Sequence, residues 1–558
     1  VTKYLSKYLT NLASFINLLD SLEIIWLIVS INPIRMKRIL VVCIALVIGS
    51  TSLSMAQPGA AVKKSDPVIE AIIKEATENS SLEKLAHELM DVIGPRLVGS
   101  PKMQQAHDWT VNQFRQWGIE GRNEKWGEWR GWERGITHID MVAPWVKTLS
   151  GQQLAWSPST KGKTVTADIV ILPEVSDSLT FVKWLPSVKG KFVMISQYQP
   201  TGRTDANWEE FGTKESVERM KKDRQEKTEA FAANLKRTGY NNNTLPLALE
   251  KAGAAGIIMS YWSKEFGSNK IFGAKTKKIP TVDISLEDYG LLYRLAQSGR
   301  TPKVSIKADS KETGVQPTYN SIGEIKGRER SNEYVMLSAH LDSWDGGTGA
   351  TDNGTGTIVM LEAMRILKKV YPNPKRTILA GLWGSEEQGL NGSAAFVEDH
   401  PEIINNLQAL FNQDNGTGRV TNINGQGFLY SYEFISRWLA QVPAAYKTDL
   451  TTTFPGSPGR GGSDFASFVM AGAPGFSLSS LSWGYGNITW HTNLDTYDKI
   501  VFDDVRNNAI LTAILVYMAS EDDTKTPRDR ITLPINPETG KPSEWPAPRV
   551  PTRRGGLD

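Results

Sequence analysis

The run Tyr334-Val335-Met336-Leu337-Ser338-Ala339-His340-Leu341-Asp342-Ser343-Trp344-Asp345 decides the fold class. Residues 334–339 read as an apolar strand, and a histidine and an aspartate stand directly at its end. Two more predicted strands end in the same way. Residues 377–383 run into Gly384-Ser385-Glu386-Glu387-Gln388-Gly389, and residues 409–412 run into Gln413-Asp414. Between the first two strands, Ala350-Thr351-Asp352-Asn353-Gly354 precedes a predicted helix at 358–369. A strand at 476–478 and a helix at 503–518 continue the alternation. Alternation of this kind predicts an α/β fold, a sheet flanked by helices.

In open α/β sheets, ligands bind beyond the C-terminal ends of the strands. Histidine and carboxylates converging there from separate strands would form a nitrogen/oxygen metal site, and His491-Thr492-Asn493-Leu494-Asp495-Thr496 offers a second histidine. Each group alone has a plainer reading. His340 suits a hydrogen-bonded core position, Asp352-Asn353-Gly354 is a good turn, and Glu386-Glu387 is a common surface pair. Their joint position at strand ends is what packing alone leaves unexplained.

Working outward, the chain of 558 residues exceeds the size at which one core stops growing, so at least two domains with tails are expected. Hydrophobic residues at 40% and charged residues at 22% are ordinary for a globular protein. The net charge of +3 comes from residues 1–56, where Lys3, Lys7, Arg35, Lys37 and Arg38 face Asp20 and Glu23. The remainder holds 58 basic and 58 acidic residues, so no basic footprint points to nucleic acid. The one cysteine is Cys43, and a metal site must therefore use His, Asp and Glu.

Met36, the basic pair Lys37-Arg38, the apolar residues 39–48 and Ser54-Met55-Ala56 form the three parts of a secretory signal. Cleavage after Ala56 would give a secreted or periplasmic protein without stable membrane insertion. Residues 1–35 read either as translation from an upstream start or as an anchor. The anchor reading is weak, because Pro33 and Arg35 interrupt the apolar residues 24–31 well short of a spanning length.

The rest divides by texture. Residues 57–164 open with three helix starts at Asp66-Pro67, Ser80-Ser81 and Ser100-Pro101. Residues 165–310 change character, with strands at 169–171, 192–195 and 257–259 and helices at 247–251 and 286–297. Within them, residues 201–244 are charged and rich in helix formers, which suits a solvated helical insertion or a substrate lid. Residues 311–525 carry the metal motifs and belong with 57–164. Residues 526–558 are proline-rich and aperiodic, and are expected to lie extended on the surface.

Taken together, the motifs resemble the two-zinc exopeptidase family of bacterial leucyl aminopeptidases, glutamate carboxypeptidase II and carboxypeptidase Q. His340–Asp345 and Glu386-Glu387-Gln388-Gly389 are most similar to carboxypeptidase Q, and the likeness covers about residues 66–520. Lys251-Ala252-Gly253-Ala254-Ala255-Gly256-Ile257-Ile258 with Ile279-Pro280-Thr281-Val282 resembles the protease-associated domain, a β-rich module that would fill 165–310. The resemblance implies a mixed central sheet flanked by helices and two Zn²⁺ per chain. By that likeness His340, Asp352 and Asp414 hold one zinc, while Asp352, Glu387 and His491 hold the other. Glu386 would be the general base, and Asp342 would fix the imidazole of His340. The likeness further implies a cis bond after Asp352 and a substrate loop at 456–464. Arg460 in that loop would meet a substrate carboxylate or lie on the surface. Zinc lowers the pKa of its bound water and polarises a scissile carbonyl, which is what peptide hydrolysis needs.

The expected function is a secreted zinc exopeptidase acting on short peptides, with the recognised peptide end left open between aminopeptidase and carboxypeptidase or dipeptidase. The alternatives are a glutaminyl cyclase-like enzyme with one zinc and a receptor-like binding protein. His87, His107, His138 and His400 lack paired ligand spacing and are read as structural. A homodimer is left open by the sequence.

Overall fold

The computed structural model describes residues 66–557. The signal segment, the cleavage site after Ala56 and Cys43 lie outside the described residues. Asp66 caps helix α1 (Pro67–Glu78) by accepting from the Val68 N–H at 2.8 Å, with Pro67 in the first turn, where its missing donor costs nothing. Ser100 caps α2 (Pro101–Gln116) in the same way, through the Met103 N–H. The other long helices are α3 (Lys214–Arg237), α4 (Leu286–Gln297), α5 (Thr355–Val370), α6 (Asn391–Asp399) and α7 (Phe502–Glu521).

The strands are β1 (Glu120–Ala143), β2 (Lys147–Thr148), β3 (Gly151–Gln153), β4 (Val165–Ile171), β5 (Phe192–Met194), β6 (Gly256–Met259), β7 (Thr281–Ile284), β8 (Lys303–Ile325), β9 (Arg330–His340), β10 (Arg376–Trp383), β11 (Leu407–Asn412), β12 (Val420–Asn424), β13 (Thr451–Thr453), β14 (Gly475–Ser480) and β15 (Arg554–Gly555). Twelve of them follow the order β13-β12-β14-β11-β9-β10-β8-β4-β5-β6-β7-β3, and β1 lies off this path, pairing with β8, β2 and β15. Strands β10, β9, β11 and β14 run parallel, whereas β8 is antiparallel to β10 and β12 is antiparallel to β14. The sheet is therefore mixed.

The parallel strands are apolar on both faces because helices cover both. Val335, Leu337 and Ala339 join Ile358, Leu361, Ile510 and Leu511 from α5 and α7 on one side. Met336, Leu379 and Trp383 meet Phe396 of α6 and Phe468 on the other. Each such fully buried Val, Leu, Ile, Met or Phe side chain contributes about 1.5–3 kcal/mol. The helical crossovers between β9, β10 and β11 keep these strands parallel, so their C-terminal ends gather at one edge.

Strands β1 and β8 form one long antiparallel ribbon, from Glu120 opposite Glu324 to Ala143 opposite Lys303. One end of β8 pairs with β10, and the other pairs with β4 at Val304 and Ile306. The ribbon was not foreseen from the sequence. Its segments hold glycines, charges and Pro317 rather than apolar alternation, and four register shifts interrupt the pairing.

The segment 165–310 contains the parallel strands β4-β5-β6-β7. It also carries five α-helices, so it is richer in helix than the expected β-rich module. Helix α3 buries only Met220 and Asn234. The tail beyond residue 526 is pinned to the body. Trp545 Nε1 donates to the Val469 carbonyl at 2.9 Å, and β15 pairs in parallel with β1 at Trp129. Among the described residues, no helix is long and apolar enough to cross a membrane.

Candidate metal centre

The register of the parallel strands brings the sequence motifs to one edge. Trp383 lies opposite His340, and Asn412 lies opposite Ser338. The residues just beyond β10 and β11, Glu386-Glu387 and Asp414, therefore emerge beside His340. Asp352 arrives from the turn between β9 and α5, and its peptide bond to Asn353 is cis. His491 comes from the loop after β14.

Two donor sets result, His340/Asp352/Asp414 and Asp352/Glu387/His491, each with its candidate donor atoms within 4.8 Å of one another. His340 Nε2 stands 3.2 Å from Asp414 Oδ1 and 3.4 Å from Asp352 Oδ1. His491 Nε2 stands 2.9 Å from Glu387 Oε2 and 3.3 Å from Asp352 Oδ2. Asp352 thus faces both histidines with its two oxygens. Asp352 Oδ2 and Glu387 Oε1 are buried without a hydrogen-bond partner. Buried oxygens in that state fit a cation, and a wholly His/Asp/Glu donor set fits zinc.

The electrostatics agree. Burial pushes Glu386 and Glu387 well above the usual carboxylate range, and neighbouring carboxylates add to it, Asp414 for Glu386 and Asp352 for Glu387. Burial also opposes charge on Asp352, but the hydrogen bond to His340 and the charge of His491 outweigh it and hold Asp352 low. For His340, burial opposes the proton, yet Asp414, Asp342 and Asp352 raise it well above an ordinary histidine. Burial takes His491 down to about 4. The cluster holds more carboxylates than its histidines can neutralise. Dications between the donors would reverse that excess and release the protons.

Asp342 behaves differently from expectation. His340 Nδ1 meets the backbone carbonyl of Asp342 at 2.9 Å, while the Asp342 carboxylate stands 3.7 Å away. That carboxylate instead accepts from the amides of Glu386 at 3.0 Å and Glu387 at 3.3 Å. It fixes the turn that carries both glutamates. Ser385, just before them, has φ 65°, and His491 has φ 56°. Each left-handed residue costs on the order of 1 kcal/mol or more.

Sequence reasoning missed three supports. Buried Asp495 accepts from the Thr351 amide and hydroxyl, both at 2.8 Å, and from the Asp352 amide at 3.0 Å. Burial, helped by Asp352, raises it to about 7. Buried Arg96 donates to the carbonyls of Leu341, Thr348 and Gly349, bracing the loop between His340 and Asp352. The loop at Lys270 and Ile271 backs His491, whose carbonyl accepts from the Ile271 amide at 2.7 Å. Asp495 sits inside a quoted motif but reads as a turn residue. The other two offer no local signal.

An aromatic wall closes this side. Trp490 stacks on His491 at 4.0 Å between ring centroids, and Phe272 meets the same ring edge-on at 5.3 Å. The remaining histidines have local roles. His107 is buried against Ser321 and pushed down to about 3 by burial, and His400 pairs with Glu124 at 3.0 Å.

Residues 320–516 match the model of peptidase family M28. Over 473 residues the chain is 26% identical to carboxypeptidase Q of Rattus norvegicus, covering 83% of this chain and 91% of that protein. It is also 26% identical over 462 residues to carboxypeptidase Q of Homo sapiens, covering 83% and 89%. Among solved structures it is similar to a peptidase M28 precursor from Shewanella amazonensis SB2B, with TM-score 0.62 and 22% identity, over 82% of this chain and 97% of that one. It is likewise similar to BSAP, a zinc aminopeptidase from Bacillus subtilis, with TM-score 0.51 and 19% identity, over 80% and 96%. Both likenesses place the chain in the same mixed α/β fold.

Proposed function

We propose that the chain is an exported metallo-exopeptidase of the kind that peptidase family M28 describes, holding two Zn²⁺ and hydrolysing short peptides. The observation that carries this reading is the pair of donor sets sharing Asp352. His340 and Asp414 complete one set, and Glu387 and His491 complete the other. Bound zinc would supply Lewis acidity, making water acidic enough to attack at neutral pH and polarising a peptide carbonyl.

The chain's own residues do the rest. Glu386 lines the pocket beside the donor sets and is not a member of either one. Its carboxylate takes the proton of the attacking water and returns it to the departing amine. Asp342 holds the Glu386 and Glu387 amides together, so that one side chain joins the donor set while the other faces the pocket. The Trp490 and Phe272 rings pack against the His491 imidazole and hold its orientation. The glutaminyl cyclase-like alternative uses one zinc, and the shared Asp352 argues against it. The basic, apolar and small-residue parts of 36–56 support export.

The direct test is Glu386→Gln. Peptide hydrolysis should fall by about a thousandfold or more, while two zinc ions stay bound. A variant that keeps its turnover would remove Glu386 as the base.

A further inference from the structure

Beside the donor sets lies a pocket of about 370 Å³. Its carboxylates are Asp352, Glu386, Glu387 and Asp414, all of which the peptidase reading already employs. Among the described residues lining it, the only lysine or arginine is Arg549, which comes from the proline-rich tail. We propose that Arg549 binds the free α-carboxylate of the substrate, making this site a dipeptidase or carboxypeptidase rather than an aminopeptidase. The proposal rests on the peptidase reading above.

The guanidinium is held but not satisfied. Nη1 donates to the Gly389 carbonyl at 3.4 Å and Nη2 to the Arg460 carbonyl at 3.3 Å, both long, and Nε is buried without a partner. Gly389 and Gly461 flank it. A Cβ at Gly461 would stand 3.5 Å from Nη2, and one at Gly389 would stand 3.9 Å from Nη1. With no side chains at these positions, the fork stays uncovered toward the pocket. An arginine fork matches a carboxylate with two parallel hydrogen bonds.

Its position suits a short peptide. Gly389 belongs to the turn that carries the base, since its amide donates to the Glu386 carbonyl at 2.8 Å. The anchor therefore rests against the turn that carries the base. The tail is fixed on both sides of Arg549, by Trp545 on the Val469 carbonyl and by the Thr552 amide on Asn391 Oδ1 at 2.8 Å. Pro548 and Pro551 stiffen the stretch between. Every carboxylate that lines the pocket is already committed to a donor set or to the base, so none is left over for an α-ammonium group. Arg460, the arginine singled out in the sequence, is exposed and turns its guanidinium to the Glu544 carbonyl. It supports Arg549 through its backbone instead.

The test crosses the enzyme with its substrate. The zinc-loaded full chain and its Arg549→Ala and Arg549→Lys variants are assayed on a neutral dipeptide, its C-terminal amide and its N-acetyl derivative. Zinc content equal to that of the parent marks each variant as folded. The parent should prefer the free acid to the amide by about a hundredfold in kcat/KM, and Arg549→Ala should erase most of that preference. Arg549→Lys should keep part of it, because a point charge replaces the fork. Equal cleavage of acid and amide by the parent, or an equal loss on both in Arg549→Ala, would overturn the anchor alone. A parent that cleaves none of the three would overturn the peptidase reading and this proposal with it.

Discussion

Asp342 shows how much of the centre depends on groups that do not face a metal. Its carboxylate accepts two amides from the Glu386-Glu387 turn, and without it both half-buried donors would lose their partner. Asp342→Ala should therefore weaken zinc binding by about 10- to 100-fold, measured by competition with a chromophoric chelator. An unchanged affinity would show that the turn holds itself. At this scale the sequence was most informative where a residue type is rare in its setting, such as a histidine or paired glutamates just past an apolar strand. The seven residues singled out, His340, Asp342, Asp352, Glu386, Glu387, Asp414 and His491, all meet at one edge. Asp495 escaped because its partners, Thr351 and Asp352, lie over 140 residues away along the chain. Arg549 escaped because it stands in a proline-rich tail without periodicity.

At the scale of elements, the parallel strands were legible because burial on both faces leaves an unbroken apolar run. The ribbon of β1 and β8 was not legible, because its pairing rests on backbone hydrogen bonds along segments full of charge and glycine. The tail was expected on the surface, but not its docking. Gly127 and Gly555 permit it: a Cβ at Gly127 would press on the Arg553 backbone, and one at Gly555 would enter the Trp129 indole. Gly555→Ala should therefore loosen the tail. Trypsin should then cut it at Arg549 or Arg554 faster than in the parent, and the preference for free carboxylates should fall together with it. A tail that resists trypsin as before would contradict this docking.

For the whole molecule, one sheet organises the chemistry. Helices on both faces leave the C-terminal strand edge as the place where polar side chains can gather, and three strands deliver them there. The Lys270–Phe272 loop and the tail add walls from two distant parts of the sequence, which is why the site's boundary was harder to read than its centre. The central claim is that Asp352 joins two metal positions. Its most direct test is the zinc content of the purified protein, by elemental analysis after dialysis, for the parent and for Asp352→Asn. The account predicts two zinc ions per chain in the parent and a loss at both positions in the variant. One zinc per chain in the parent, or two retained in Asp352→Asn, would contradict it.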